Sequence, residues 1–266
     1  MKRILVTNDD GYKSAGFLAL VEELQKEFDV VPVAPATEKS WIGKSLSARN
    51  KVRVKKVNWH HTEIFAVEGT PADCVQIGIY HLLSQRPDLV VSGINIGANI
   101  GRARILSSGT VGAAMEASID GVKALASSLS IPMESQKNVD FTDEKYMPLF
   151  KNAAKITAKA ATMMLKSKNN KELELLSLNI PFNAHEHAEI EVTAPFHESS
   201  GQIFHKKGMH FTNSRPPITI KTYKKGTDLH AIRNGNISLT PLSLKLVTGN
   251  ALAQLRKNVQ KEWGKA

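Results

Sequence analysis

The chain predicts an α/β fold: a doubly wound, mostly parallel sheet, then a β-rich excursion and a terminal helix. Three observations carry that expectation. Strand and helix patterns alternate through about the first 130 residues, as parallel strands joined by crossover helices require. Each of three apolar strand patterns in that stretch is followed by a short polar segment rich in Asp, Asn, Ser or Gly. Residues 184–240 then lose helical periodicity, and residues 248–262 regain it. The organisation expected is a core over 1–183, an excursion over 184–240 that serves oligomerisation, and a tail with its helix over 241–266.

The elements follow in order. "RILV" reads as a strand buried on both faces, and Phe17, Leu20, Val21, Leu24 and Phe28 share one helical face before "VVPVAP" begins a second strand at Val30. "KVRVKKV" alternates, "EIFAV" follows it, and "NWHHT" between them makes the two an antiparallel pair. Thr70 and Pro71 read as the N-cap and first position of a helix running to about Ser84. Pro87 ends that segment and "DLVVSG" is a third buried strand. A Gly/Asn/Ser-rich loop leads to a helix from about Thr110, and "VKALASSL" is the next strand. A helical pattern interrupted at Pro148 covers 143–168, and "LELLSLNIP" is a strand that completes the sheet. Beyond it "EIEVTA", "ITIKTY" and "NISLTPL" are β-like, with no clear helix among them.

Composition narrows the function. With 42% hydrophobic residues, 266 residues close a core without covalent staples. A single cysteine, Cys74, excludes an internal disulfide framework and fits a cytoplasmic location, and nine histidines without a Cys/His cluster argue against structural zinc. The apolar run after "MKR" stops too soon for a signal peptide. The most apolar Gly-spaced stretch, "LVVSGINIGANIG", is about 13 residues long, too short to span a membrane. The net charge of +10, from 35 basic and 25 acidic residues, favours anionic partners. Phosphorylated small molecules and nucleic acid both qualify, but the lysine clusters lack interleaved aromatics or a nucleic-acid module and read as solvated faces rather than a polyanion-binding surface.

The chemistry starts at "ILVTNDDG", where Asp9 and Asp10 stand side by side. Two like charges at about 4 Å repel by roughly 4 kcal/mol at an effective dielectric near 20. A divalent cation offsets that repulsion; an ordinary Asp-Gly turn is the alternative, and only partner groups separate the two. Partners stand in the other two polar segments, "APATEKSWIGKS" with Ser40 and "SGINIGANIGRARILSSGT" with two asparagines and several glycines. In a doubly wound sheet such segments converge beyond the carboxyl ends of the strands. Thr110 opens a helix behind "SSG" whose free amides face that rim as an anion cradle, although neither a Walker loop nor G-x-G-x-x-G is present.

The ordered set "ILVTNDDG", "VAPATEKSWIGKS", "EGTPADCV", "PDLVVSGINIGANIG", "SGTVGAAME" and "GTDLHAIRNGNISLTPL" closely resembles the SurE (survival protein E) family of metal-dependent nucleoside-monophosphate phosphatases. The resemblance runs from residue 3 to about 242 and is weakest over 133–220. It implies a Rossmann-like core, one divalent ion (Mg²⁺ or Mn²⁺), and hydrolysis of 5′- or 3′-nucleotides with polyphosphate as a further substrate. It also implies a homodimer or tetramer built by exchange of C-terminal segments. By the same resemblance the metal ligands are Asp9, Asp10, Ser40 and Asn95 and the phosphate contacts are Asn99, Ser108, Gly109 and Thr110; Asp9 and Asp10 are the candidate catalytic carboxylates, Asp9 before Asp10 as the one that orients or deprotonates water, with ligand and base not separated by the sequence. Trp41 stands where the family commonly has glycine, and Lys44 where histidine is frequent. Arg102 and Arg104 occupy a loop that usually carries an acidic residue, so substrate preference is the property these departures touch. Within enzymes, a phosphatase that forms an aspartyl-phosphate needs two Asp separated by one residue, which the adjacent pair does not supply. A basic nucleotide- or nucleic-acid-binding protein without turnover is the alternative from another class.

Overall fold

The computed structural model describes residues 1–136, 139–167, 173–185, 187–197, 202–213, 223–247 and 249–264. Among them nine strands form one sheet. Four parallel strands make its centre: β1 (Arg3–Thr7), β2 (Asp29–Pro35), β5 (Leu89–Ile96) and β6 (Ala124–Ser130), with Ile4 opposite Val30 on one side and Leu89 on the other. On the β2 side follow β4 (Thr62–Val67), parallel, and β3 (Val54–Trp59), antiparallel to it. On the β6 side follow β7 (Leu175–Pro181), parallel, then β11 (Ile237–Pro241), antiparallel to β7, and β8 (Ile190–Val192), parallel to β11. The doubly wound, mostly parallel expectation holds.

Burial on both faces explains why the central strands read as unbroken apolar runs. Ile4, Val6, Leu89 and Val91 point to one side, into a core shared with Phe17 and Leu20 of α1 (Ala15–Leu24) and Phe150 of α6 (Met147–Lys166). Leu5 and Val90 point to the other, against Cys74 and Val75 of α2 (Pro71–Ile77) and Val111 and Ala114 of α4 (Gly109–Ile119). Adjacent residues on opposite faces are the period of two that a pleated strand imposes. Thr70 caps α2 as expected: its hydroxyl accepts the Asp73 N–H at 3.0 Å and the Asp73 carboxylate accepts the Thr70 N–H at 2.8 Å. A π-helical turn, Gly78–Leu82, extends that helix toward Ser84.

Four local expectations are corrected. Pro148 does not interrupt a helix; it lies in the first turn of α6, where its missing N–H has no partner to lose. Part of the Gly/Asn/Ser-rich loop is helical: α3 (Gly101–Ser107) forms on Arg-Ala-Arg-Ile-Leu, good helix formers hidden between glycines. A helix also exists in the β-rich stretch, α7 (Asp228–Arg233), capped by the Thr227 hydroxyl and too short to show periodicity. And β7 does not complete the sheet, because β11 inserts beside it and β8 lies beyond. A separate hairpin, β9 (Phe204–Lys207) and β10 (His210–Asn213), stands apart from the sheet. Most of "ITIKTY" lies outside the described residues. A one-turn helix, α5 (Met133–Gln136), follows β6, and the terminal helix, α8 (Gly249–Trp263), forms with no buried residue. Among the described residues no helix is long and apolar enough to cross a membrane.

Candidate active site

Three polar segments leave the carboxyl ends of β1, β2 and β5 and meet around one cavity of about 140 Å³. The walls include Asp9, Ser40, Trp41, Asn95, Asn99 and Ser108. That volume is close to the roughly 150 Å³ that admits a benzene ring, so it has room for a phosphoryl-sized group.

Asp9 is 4% exposed and held from two sides. Its backbone carbonyl accepts Lys39 N–H at 2.7 Å, which ties the first segment to the second. Its carboxylate accepts the Thr110 hydroxyl and the Thr110 N–H. Gly109 makes this closeness possible: a Cβ there would lie 2.8 Å from the Asp9 Cβ and 2.9 Å from the Lys39 carbonyl oxygen. Burial pushes the Asp9 carboxyl up to about 6, against the Thr110 bonds that pull it down. Asp10 is pushed well above the usual carboxylate range, first by burial and then by the charges of Asp9 and Glu38. One of its oxygens, Oδ2, is buried with no hydrogen-bond partner.

Asp10 follows Asp9 but is not among the residues lining the cavity, where two further oxygens are left without a hydrogen to donate by their own side chains' bonds. The Asn95 amide nitrogen donates to the Gly97 carbonyl at 2.6 Å, leaving its carbonyl oxygen to the cavity, and the Ser40 hydroxyl donates to Glu38 at 2.6 Å, leaving its lone pairs. The donor set is therefore two carboxylates, an amide oxygen and a hydroxyl, all hard oxygen ligands of the kind Mg²⁺ or Mn²⁺ takes. Among the described residues no three His, Cys, Asp or Glu side chains are placed to hold a metal ion together, so neutral oxygens complete this set. An orphaned Asp10 oxygen beside carboxylates that resist ionisation is the condition a bound cation relieves.

The predicted residues do not all stand in the same relation to the cavity. Asp9, Ser40, Asn95, Asn99 and Ser108 line it. Gly109 and Thr110 pack behind Asp9, and Thr110 is fully buried with its hydroxyl committed to that carboxylate. Ser108 caps α4, accepting the Val111 N–H at 3.1 Å. The two arginines separate: Arg104 is half-buried and lines the cavity, whereas Arg102 is exposed. Trp41 lines it too, 42% exposed and at φ +62°, a left-handed conformation that costs a bulky residue free energy. His60 and His61 occupy the β3–β4 turn and do not line the cavity.

Several positioning residues escaped the sequence reading. Asn179 accepts the Asn99 N–H at 2.8 Å, and Ser128 accepts the Asn99 side-chain amide at 3.0 Å. Both sit in strands, and a polar side chain in an otherwise apolar buried strand is a signal, since it must find a partner. Asp228, fully buried, accepts Gly101 N–H at 2.7 Å and Phe196 N–H at 2.9 Å and so pins the start of α3. Beneath the Ser40 segment, Lys44 forms an ion pair with the buried Glu116 of α4, which also accepts from Gln76 at 2.6 Å. Gly43, at φ +57°, lets that segment lie on α3, its N–H donating to the Ser107 carbonyl at 2.9 Å.

A doubly wound sheet with a polar cavity at its carboxyl rim and a helix amino end behind it places this chain among α/β proteins whose ligand site lies beyond the carboxyl ends of the strands. The family model described as "Survival protein SurE" matches residues 4–202. The chain is 37% identical over 251 residues to "5'-nucleotidase SurE" of Methanococcoides burtonii, covering 91% of this chain and 94% of that protein. It is 36% identical to the protein of the same name from Archaeoglobus fulgidus, covering 92% of each. Among solved structures, the SurE protein from Aquifex aeolicus superposes with a TM-score of 0.77 at 30% identity, covering 96% of this chain and 99% of that one. The chain belongs to the SurE family.

Proposed function

We propose that this protein is a metal-dependent nucleotidase that hydrolyses nucleoside 5′-monophosphates, with 3′-monophosphates and polyphosphate as further substrates. The observation that carries the reading is the meeting of Asp9, Ser40, Asn95, Asn99 and Ser108 around one phosphoryl-sized cavity. The 5′-nucleotidase name of relatives matched over nearly their whole length supports it.

Asp9, Asp10, Ser40 and Asn95 would hold one divalent ion, Mg²⁺ or Mn²⁺. When bound, such an ion neutralises phosphoryl charge and acidifies water at neutral pH. Asn99 and Ser108, with the Gly109 amide at the start of α4, receive the phosphoryl oxygens as charge redistributes. The second hydrogen of the Asn99 amide serves this purpose, since the first is engaged by Ser128. Thr110 fixes the rotamer of Asp9, the carboxylate that orients the attacking water and takes its proton. The location we assign is cytoplasmic. Residues 1–183 carry the chemistry; within 184–240, β8, β11 and Asp228 support that core, and the β9–β10 hairpin with the tail serves association.

The test is release of inorganic phosphate from AMP. Activity with Mg²⁺ or Mn²⁺, its loss in excess chelator and its return on adding the ion are expected. Full activity in chelator would falsify the metal dependence, and nucleotide binding without phosphate release would favour a binding protein.

A further inference from the structure

Trp41 stands at the cavity in a backbone conformation that its size makes costly. It follows the candidate metal ligand Ser40, lines the cavity, and is the one aromatic residue among those that do. It is also 42% exposed, and on a side chain of this size so much free surface is chiefly indole, so Trp41 reaches from the cavity wall to solvent. Among the described residues no ring, cation or hydrogen-bond partner engages that indole; the aromatic pairs are built on Trp59, Phe141 and Tyr223 instead.

At φ +62° the left-handed backbone is strained for a bulky residue and free for glycine. Such a conformation persists only where its surroundings over-determine it. Before Trp41, the Lys39 N–H donates to the Asp9 carbonyl at 2.7 Å and the Ser40 hydroxyl to Glu38 at 2.6 Å. After it, the Gly43 N–H donates to the Ser107 carbonyl at 2.9 Å and Lys44 pairs with the buried Glu116. Trp41 is thus presented from a segment fixed on both sides, and less freedom is lost when a ligand settles against it. The fold gains nothing from a strained residue whose indole is left in water; a ligand surface gives it a task.

A nucleotide bound with its phosphoryl group against Asn99 and Ser108 still has its sugar and base to place. An indole offers a flat π-face, and every base has one to match, whereas a sugar phosphate has none. Given the nucleotidase reading, we propose that Trp41 is a specificity-determining residue that stacks on the nucleobase, so that this enzyme favours nucleotides over phosphate monoesters without a base. Stacking tolerates any base, so broad use of nucleotides is expected rather than a choice of one.

Trp41→Gly, Trp41→Leu and Trp41→Phe are compared with the parent. Calorimetry with Mg²⁺ measures binding of the phosphonate analogue of AMP, whose P–C bond is not hydrolysed, against inorganic phosphate. Loss of one stacked base predicts that Trp41→Gly weakens the analogue by about tenfold or more, and phosphate by less than about threefold. Trp41→Phe keeps most of the parent's binding. The ratio of kcat/KM for AMP over ribose 5-phosphate falls by a similar factor in Trp41→Gly and stays near the parent's in Trp41→Phe. Trp41→Leu keeps an apolar side chain at the same backbone angle without an aromatic face, so it answers the question should the glycine variant loosen the segment. Equal weakening of analogue and phosphate would make Trp41 a support of the phosphoryl site and overturn the inference, as would no weakening of either. If the parent releases no phosphate from any nucleotide, the nucleotidase reading fails while the binding ratio still judges Trp41.

Discussion

At the scale of single residues the site is a balance between charge and burial, and Asp9 shows it most clearly. Its carboxyl is raised from 3.8 to about 6, chiefly by burial. Between those values the folded chain holds a proton that the unfolded chain has released, so stability falls as pH rises through that window. Above it the buried charge costs roughly 3 kcal/mol in the metal-free protein. Asp9→Asn should therefore melt at the same temperature as the parent or higher, in chelator at pH 7.5, while phosphate release falls by about a hundredfold or more. A drop of several degrees in Tm would show that the carboxylate serves the fold. The adjacency of Asp9 and Asp10 was legible in the sequence. The Thr110 bond that orients Asp9 was not, because it joins residues 101 positions apart.

Among elements, α3 decides how the site is assembled. One buried carboxylate, Asp228, accepts the N–H groups of Gly101, Phe196 and Leu229, the last at 2.7 Å. Burial raises its pKa, and the three backbone donors pull it back. Asp228→Ala orphans all three donors, which costs about 2–4 kcal/mol of stability in a urea titration. It should also lower kcat/KM about tenfold through the loosened α3, whereas Asp228→Asn, which keeps one acceptor oxygen, should lose less of both. An activity loss without a stability loss would contradict the clamp. Both α3 and α7 went unread for one reason. At seven and six residues, flanked by glycines, they complete about two turns, and hydrophobic periodicity needs a longer window.

For the molecule as a whole, the surface asks for a partner. None of the residues of α8 is buried, Leu255 and Trp263 are 58% and 78% exposed, and Leu246 ahead of it is 96% exposed. The β9–β10 hairpin likewise exposes Met209 at 88% and Phe211 at 63%. Apolar groups on elements that add nothing to the chain's own core are what a contact between copies of the chain would cover. Light scattering at micromolar concentration is expected to report a homodimer or tetramer. Removal of residues 249–266 should lower that mass while leaving the sheet's far-UV signal in place. A parent that is monomeric would end this reading.

The sequence by itself determined the alternation that forces a doubly wound sheet and, through its polar strand ends, the rim on which a site must lie. These are local properties: a strand buried on both faces must be apolar throughout, and a carboxylate pair at its end is visible as two neighbouring letters. Tertiary structure alone decided that β11 returns from the far end of the chain to lie antiparallel beside β7, with Ser238 opposite Asn179, and that β8 closes the edge. It also decided that Arg104 faces the cavity while Arg102 faces water, and that Asn179, Ser128 and Asp228 hold the site from behind. Strand pairing and side-chain partners are contacts between distant residues, set by which packing buries the most apolar surface while leaving the fewest polar groups unpaired, and no local pattern encodes that choice.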